Sequence, residues 1–178
     1  TPLTVEDFRG IMGKTMDVIA AKFFPDMPEK ERMELLDKCG EYENEYLSGH
    51  GAVLYPGVEE TFAKLKEKYE LYIVSNCQSG YIEAFLSYYK LGKYISDIEC
   101  YGNNEKQKED NIALVVSRNA LTDAVYVGDI QSDYESSKKA GVAFIHAAYG
   151  FGTIDDEVPE IENLSQLPEV VEKVFAGK

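Results

Sequence analysis

Apolar positions follow one pattern through the first fifty residues of this chain and another beyond them. At the front they recur at helical spacing. Thr4 opens Thr-Val-Glu-Asp, a helix cap followed by acids in the first turn. Phe8, Ile11, Met12, Thr15, Met16 and Ile19 then fall on one face, which predicts a single helix ending before Phe23-Phe24-Pro25-Asp26. Pro28 starts a second helix that the pattern carries to about Leu47, through Met33, Leu36, Cys39 and Tyr46. Ser48-Gly49-His50-Gly51 reads as a linker.

From Tyr55 onward, short apolar runs alternate with helical stretches. Pro56-Gly57 opens a helix carrying Val58, Phe62 and Leu65, and Leu71-Tyr72-Ile73-Val74 is a buried strand ending in Ser75-Asn76. The pattern then predicts a helix over 79–89, a weaker strand over 98–101 and a helix over 109–119. A strand over 124–127, a helix over 134–140, a strand over 142–147 and a last helix over 167–175 complete it. Gly141 stands where a helix C-cap glycine belongs. Such alternation predicts an α/β fold, a Rossmann-like parallel sheet covered by helices. The expected organisation is a small helical cap over 1–50 and an α/β core over 51–178.

Composition narrows the function. The 178 residues are 44% hydrophobic and 28% charged, ordinary values for a globular chain. No apolar run approaches the roughly 18 residues of a membrane span, and the first residues lack a basic-then-apolar leader pattern. The net charge of −14 argues against nucleic acid and anionic membrane surfaces as partners. It leaves room for a small phosphorylated metabolite, because a cation and a helix N-terminus hold phosphate within an acidic protein. Cys39, Cys77 and Cys100 are too few and too scattered for a disulfide framework or a zinc site. Reduced thiols fit a cytoplasmic protein. His50 and His146 lie far apart, and His146 ends an apolar run, which suits a structural role.

Candidate chemistry sits after three of the strands. Val125-Tyr126-Val127-Gly128-Asp129 leaves the third strand, and Asp133 follows four positions after Asp129. Asp also caps helices after strands, but a carboxylate pair at that end suits Mg²⁺, which takes oxygen ligands and keeps some of its waters. Ser75-Asn76 offers a hydroxyl and backbone N–H groups at a strand end, although Asn and Ser are also ordinary turn residues. In Asn103-Asn104-Glu105-Lys106-Gln107-Lys108, a solvated loop is the plain reading. A lysine there could instead neutralise a phosphoryl group. Lys106 and Lys108 both qualify, and Lys108 is favoured because it lies just before the helix start.

The order Ser, Lys, Gly-Asp-x-x-x-Asp, each after a strand, resembles the haloacid dehalogenase superfamily, particularly phosphoglycolate-phosphatase-like members with a small helical cap. The resemblance spans nearly the whole chain. It implies a phosphoric monoester hydrolase acting through an aspartyl-phosphate. Ser75 would bind a phosphoryl oxygen with Asn76 supporting the loop, and Lys108 would be the catalytic cation. Asp129 would bind Mg²⁺ and Asp133 would support the metal. Lys14, in Gly13-Lys14-Thr15, falls where the family's cap reaches toward substrate.

One element of that resemblance is absent. The family's first motif is an apolar strand followed by Asp-x-Asp-Gly-Thr, whose first Asp is the nucleophile, and this chain contains no Asp-x-Asp. In the family that strand lies between the strands found here at 71–75 and 124–127. The expectation is that nucleophile and strand come from upstream of Thr1. Two other readings belong to different classes: a non-catalytic member that binds phosphate compounds or a protein partner, and a 2-haloacid dehalogenase. The second ranks low, since dehalogenation needs no metal.

Overall fold

A computed structural model describes residues 3–177. The expected first helix is two helices, α1 (Val5–Arg9) and α2 (Met16–Phe23). Thr4 caps α1 in a reciprocal box with Asp7. The apolar periodicity runs on past Arg9, but Gly13 adopts φ +74°, a left-handed turn that favours glycine. Thr15 then restarts the helix with extended backbone. The segment 48–51 also differs from the linker expected of it. Helix α3 (Glu29–His50) runs straight through Ser48 and Gly49 and stops at Gly51, at φ +65°. A Cβ there would lie 2.2 Å from the Tyr88 ring, so the stop is built for glycine.

Beyond α3 the alternation follows the sequence pattern closely. The elements are α4 (Val58–Lys66), β1 (Leu71–Ser75), α5 (Tyr81–Tyr89), β2 (Ile95–Cys100) and a single-turn α6 (Tyr101–Asn104). They continue with α7 (Lys108–Arg118), β3 (Val125–Gly128), α8 (Gln131–Lys139), β4 (Ala143–Ala147), β5 (Glu160–Ile161) and α9 (Leu167–Ala176). All strand pairings are parallel. Helices α4 and α9 pack together over β1 and β4, and α7 and α8 pack together over the strands beneath them. The main apolar cluster joins Leu65, Ile145, Ala147, Ile161, Leu167 and Val171. This is a Rossmann-like α/β fold.

The strands do not form one sheet. β1 pairs with β2, and β3, β4 and β5 form a second sheet, with no ladder between β1 and β3. The two facing edges border a cavity of about 610 Å³. Its walls are Ile73 and Val74 of β1 and Val125 and Val127 of β3, with Leu65 and Val171 from one pair of helices and Ile112 and Val115 from α7. The slot therefore lies between the two strands that the family resemblance separates by one strand. One hydrogen bond spans it, from Tyr126 Oη to the Val74 carbonyl at 3.0 Å.

The helical front segment leans on the end of β1. Gly40 of α3 packs against Gln78, whose amide donates to Glu43 and Asn44, and Asn44 in turn donates to the Ser79 carbonyl. These contacts set α3 beside α5 and the turn that precedes it.

Candidate functional site

Each of the three loops leaves a strand at its C-terminal end, where ligands bind in α/β sheets. They meet at a second cavity of about 270 Å³, bordered by Ser75, Lys108, Asp129, Asp133, Gly13 and Phe151. Ser75 and Gly128 both edge it, so β1 and β3 point the same way across the slot.

Ser75 Oγ accepts the Cys77 N–H at 3.2 Å, which curls the turn after β1 back onto the strand end. Asn76 reaches the front segment: its amide donates to the Gly13 carbonyl at 2.9 Å. The Asn76 Oδ1 is buried without a hydrogen-bond partner among the described residues. Gly13 sits close enough to Ile130 that a Cβ would meet its Cδ1 at 2.3 Å. The Gly13 turn therefore closes over the loop that carries Asp129. Lys14 follows it, exposed, and does not border the cavity.

Of the two candidate lysines, Lys108 borders the cavity and Lys106 does not. Lys108 is the first residue of α7, is 8% exposed, and forms an ion pair with Asp133. Lys106 is exposed, and its backbone is held by Asn104 and Asn111. Burial alone would lower the Lys108 pKa, but Tyr126 and Asp133 outweigh it and hold the ammonium above its usual value. The Tyr126 phenol is pushed up to about 12, chiefly by burial. It stays neutral and can donate a hydrogen bond.

The two aspartates have different surroundings. Asp133 is 4% exposed and fully engaged: one oxygen meets Lys108 and the other accepts the Asp129 N–H at 3.1 Å. A Cβ on Gly128 would lie 2.5 Å from the Asp133 Cβ, so this approach requires glycine at 128. Asp129 accepts the Phe151 N–H at 2.8 Å through Oδ2, which leaves its other oxygen for a ligand. Lys108 offsets Asp133, and Asp129 remains as negative charge at the cavity wall.

Mg²⁺, implied by the resemblance, fits this donor set. Mg²⁺ takes one or two carboxylates and keeps several waters rather than needing an all-protein cage. Asp129 offers such an oxygen. The described residues contain no cluster of three or more His, Cys, Asp or Glu side chains suited to a metal.

Sequence reasoning missed Tyr126, Met12 and Phe151, which also border the cavity. Tyr126 reads as one more apolar strand position, and Met12 as a helix-face residue. The Gly150-Phe151-Gly152 pattern just after β4 was an available signal. A Cβ on Gly150 would lie 2.3 Å from the Asp129 Cβ, and the loop clasps that carboxylate.

A parallel α/β core with a polar cavity at the strand ends defines the class, and comparison places the chain within it. Residues 1–147 match the haloacid dehalogenase-like hydrolase family, and the chain belongs to that family. It is 26% identical over 148 residues to a phosphoglycolate phosphatase of Shigella boydii, an alignment covering 76% of this chain and 57% of that protein. The chain thus spans little more than half the length of that curated relative. Among solved structures it resembles a haloacid dehalogenase-like hydrolase of Streptococcus pneumoniae, with TM-score 0.78, 17% identity, and 95% of this chain and 82% of that one covered. It also resembles CbbY of Rhodobacter sphaeroides in complex with phosphate, with TM-score 0.75, 16% identity, and 92% and 80% covered. At these identities the likeness establishes the fold.

Proposed function

We propose that this chain is the cap and most of the core of a Mg²⁺-dependent phosphatase that hydrolyses a small phosphomonoester in the cytoplasm. The observation that carries this reading is the convergence of Ser75, Lys108 and Asp129 on one cavity at the strand ends. The phosphatase name of the curated relative and the phosphate in a structural neighbour support it. The two units are the helical cap over 1–50 and the core over 51–178.

The residues divide the work. Ser75 Oγ and the backbone N–H groups of its turn receive phosphoryl oxygens, with Asn76 holding that turn against the cap. Lys108 supplies a fixed positive charge toward the transferring phosphoryl group. Asp129 holds Mg²⁺, which when bound offsets phosphate charge and orients the substrate. Asp133 keeps Lys108 and the Asp129 amide in place. Lys14, the exposed residue after Gly13, would contribute to substrate selection from outside the cavity wall.

The nucleophile is expected on a strand upstream of Thr1 that fills the slot between β1 and β3. A strand inserted there parallel to both would end between Ser75 and Asp129, where an attacking carboxylate is needed. It would also pair two edges whose unpaired N–H and C=O groups cost roughly 1–3 kcal/mol each when buried.

The test is phosphate release from an aryl phosphate, with and without Mg²⁺. The 178-residue chain should be inactive and the chain extended by its upstream coding segment active. Robust turnover by the short chain would overturn the nucleophile assignment. An inactive extended chain that carries an Asp-x-Asp would favour the non-catalytic reading.

A further inference from the structure

Two thiols meet directly behind the Ser75 turn, and the proposed reaction uses neither. Cys100 ends β2 and is the register partner of Ser75 in the parallel pair. Cys77 lies two residues past Ser75 and gives its N–H to the Ser75 hydroxyl. The segments carrying them are pressed together. The Gly102 N–H donates to the Cys77 carbonyl at 3.0 Å, and the Cys100 thiol donates to the Gln78 carbonyl at 3.7 Å. A Cβ on Gly102 would lie 2.1 Å from the Ser79 nitrogen, so the approach is as close as glycine permits. Each thiol lies near enough to the other to perturb its ionisation.

We infer that Cys77 and Cys100 are a reversible disulfide site, closed by peroxide, that fastens the Ser75 turn to the end of β2. A disulfide needs Cα atoms roughly 4.4–6.8 Å apart. Cys77 stands two residues beyond the strand pair that Cys100 ends, on a turn whose peptides bond Gly102 and meet the Cys100 sulfur, so the two cysteines lie on segments in direct contact. The third cysteine, Cys39, is exposed on α3.

The thiols shift one another in opposite directions. The Cys77 thiol stabilises the Cys100 thiolate and lowers its pKa, while Cys100 and burial push Cys77 up. The ionised sulfur attacks one oxygen of hydrogen peroxide: an S–O bond forms, the O–O bond breaks, and the departing hydroxide takes the proton of the second thiol. That second thiolate attacks the sulfenic sulfur. The S–S bond forms, the S–O bond breaks, and the released hydroxide takes a proton from solvent. Two thiols and one peroxide become one disulfide and two waters. Cys100 is 1% exposed and Cys77 is half-buried, so a water-sized oxidant reaches the pair where a bulky disulfide does not.

This inference does not depend on phosphate being the ligand. Its test is mild peroxide treatment of the 178-residue chain, alkylation and peptide mapping without reductant. Free thiols should fall from three to one, with a linked 77–100 peptide pair, Cys39 still alkylated, and reversal by dithiothreitol. Amide exchange over 76–79 should slow in the oxidised chain. Cys77→Ser and Cys100→Ser should each abolish the linked peptide. Three alkylated thiols after peroxide, a Cys39-linked dimer as the sole product, or sulfinic acid at 77 or 100 without a link would each overturn the proposal.

Discussion

Lys108 and Asp133 form a buried ion pair that ties the first turn of α7 to the first turn of α8. Helix α7 packs on β1 and β2, and α8 on β3 and β4, so the pair staples the two separate sheets together beside the slot. Removing one partner leaves an uncompensated charge where both residues are under a tenth exposed. Asp133→Asn or Lys108→Met should therefore cost roughly 3–5 kcal/mol in denaturant unfolding. The double variant Lys108→Met, Asp133→Leu should cost clearly less than the sum. Additive losses would mean that the two side chains act independently.

The Asn76 amide and the Gly13 carbonyl join the proposed cap to the core at the cavity mouth. Asn76→Ala removes the donor and leaves a carbonyl to find water. Hydrogen exchange at the amides of 11–15 should speed several-fold, while exchange within β4 should stay unchanged. Gly13→Ala should do more, because it combines backbone strain at φ +74° with a clash on Ile130. Unaltered exchange in Asn76→Ala would show that the turn is held by its packing alone.

Arg118 bridges Asp97 and Glu99 on β2, away from the cavity. Burial alone would raise both carboxyls, but hydrogen bonds from Asn103 and Arg118 to Glu99, and from Asn119, the Ile98 N–H and Arg118 to Asp97, hold them below the usual range. A carboxyl whose folded pKa lies below its unfolded value gives stability above the unfolded value, near 3.9–4.3. That stability is lost as pH falls through the folded value. The chain should thus lose stability progressively below about pH 4. Arg118→Met should flatten that acid limb in thermal melts and lower neutral-pH stability by about 1–3 kcal/mol, since Glu99 is left buried without its cation. An unchanged acid limb would assign it to other carboxylates.

The core was legible because its signals are local. Val125-Tyr126-Val127-Gly128-Asp129 announces a buried strand and its polar end without reference to any neighbour. Helix α7 likewise begins where the polar run 103–107 ends. The front segment was less legible because apolar periodicity continues across a turn. Ile11 and Met12 stay in phase with Phe8, and the break comes from the Gly13 backbone and from docking on Ile130, a contact 117 positions away in sequence. Gly49 misled in the opposite direction, since a glycine within a long helix costs only about 1 kcal/mol and α3 absorbs it. At the site, residue types at strand ends were readable. Their division of labour was not, because it depends on which carboxylate Lys108 meets. The clasp of Asp129 by the Phe151 N–H uses backbone atoms, which any sequence supplies.

The proposed Mg²⁺ role of Asp129 can be checked without turnover. Asp133 has both oxygens committed, to Lys108 and to the Asp129 amide, whereas Asp129 keeps one oxygen toward the cavity. A Mg²⁺ ion held by one carboxylate and its own waters should bind the 178-residue chain weakly, and its effect should be local. Titrating Mg²⁺ while following amide chemical shifts should move the residues 128–133 and 150–152 in a saturable way. Asp129→Asn keeps the acceptor for Phe151 but removes the charge, and should weaken that titration at least tenfold, equivalent to about 1.4 kcal/mol. Asp133→Asn should perturb the same amides before any metal is added, because it frees Lys108 and loosens the Asp129 N–H. Shifts confined to the acidic face of α3, around Glu41 and Glu45, would point to diffuse counter-ion binding. Such an outcome, or an Asp129→Asn titration indistinguishable from the parent, would remove Asp129 from the metal site.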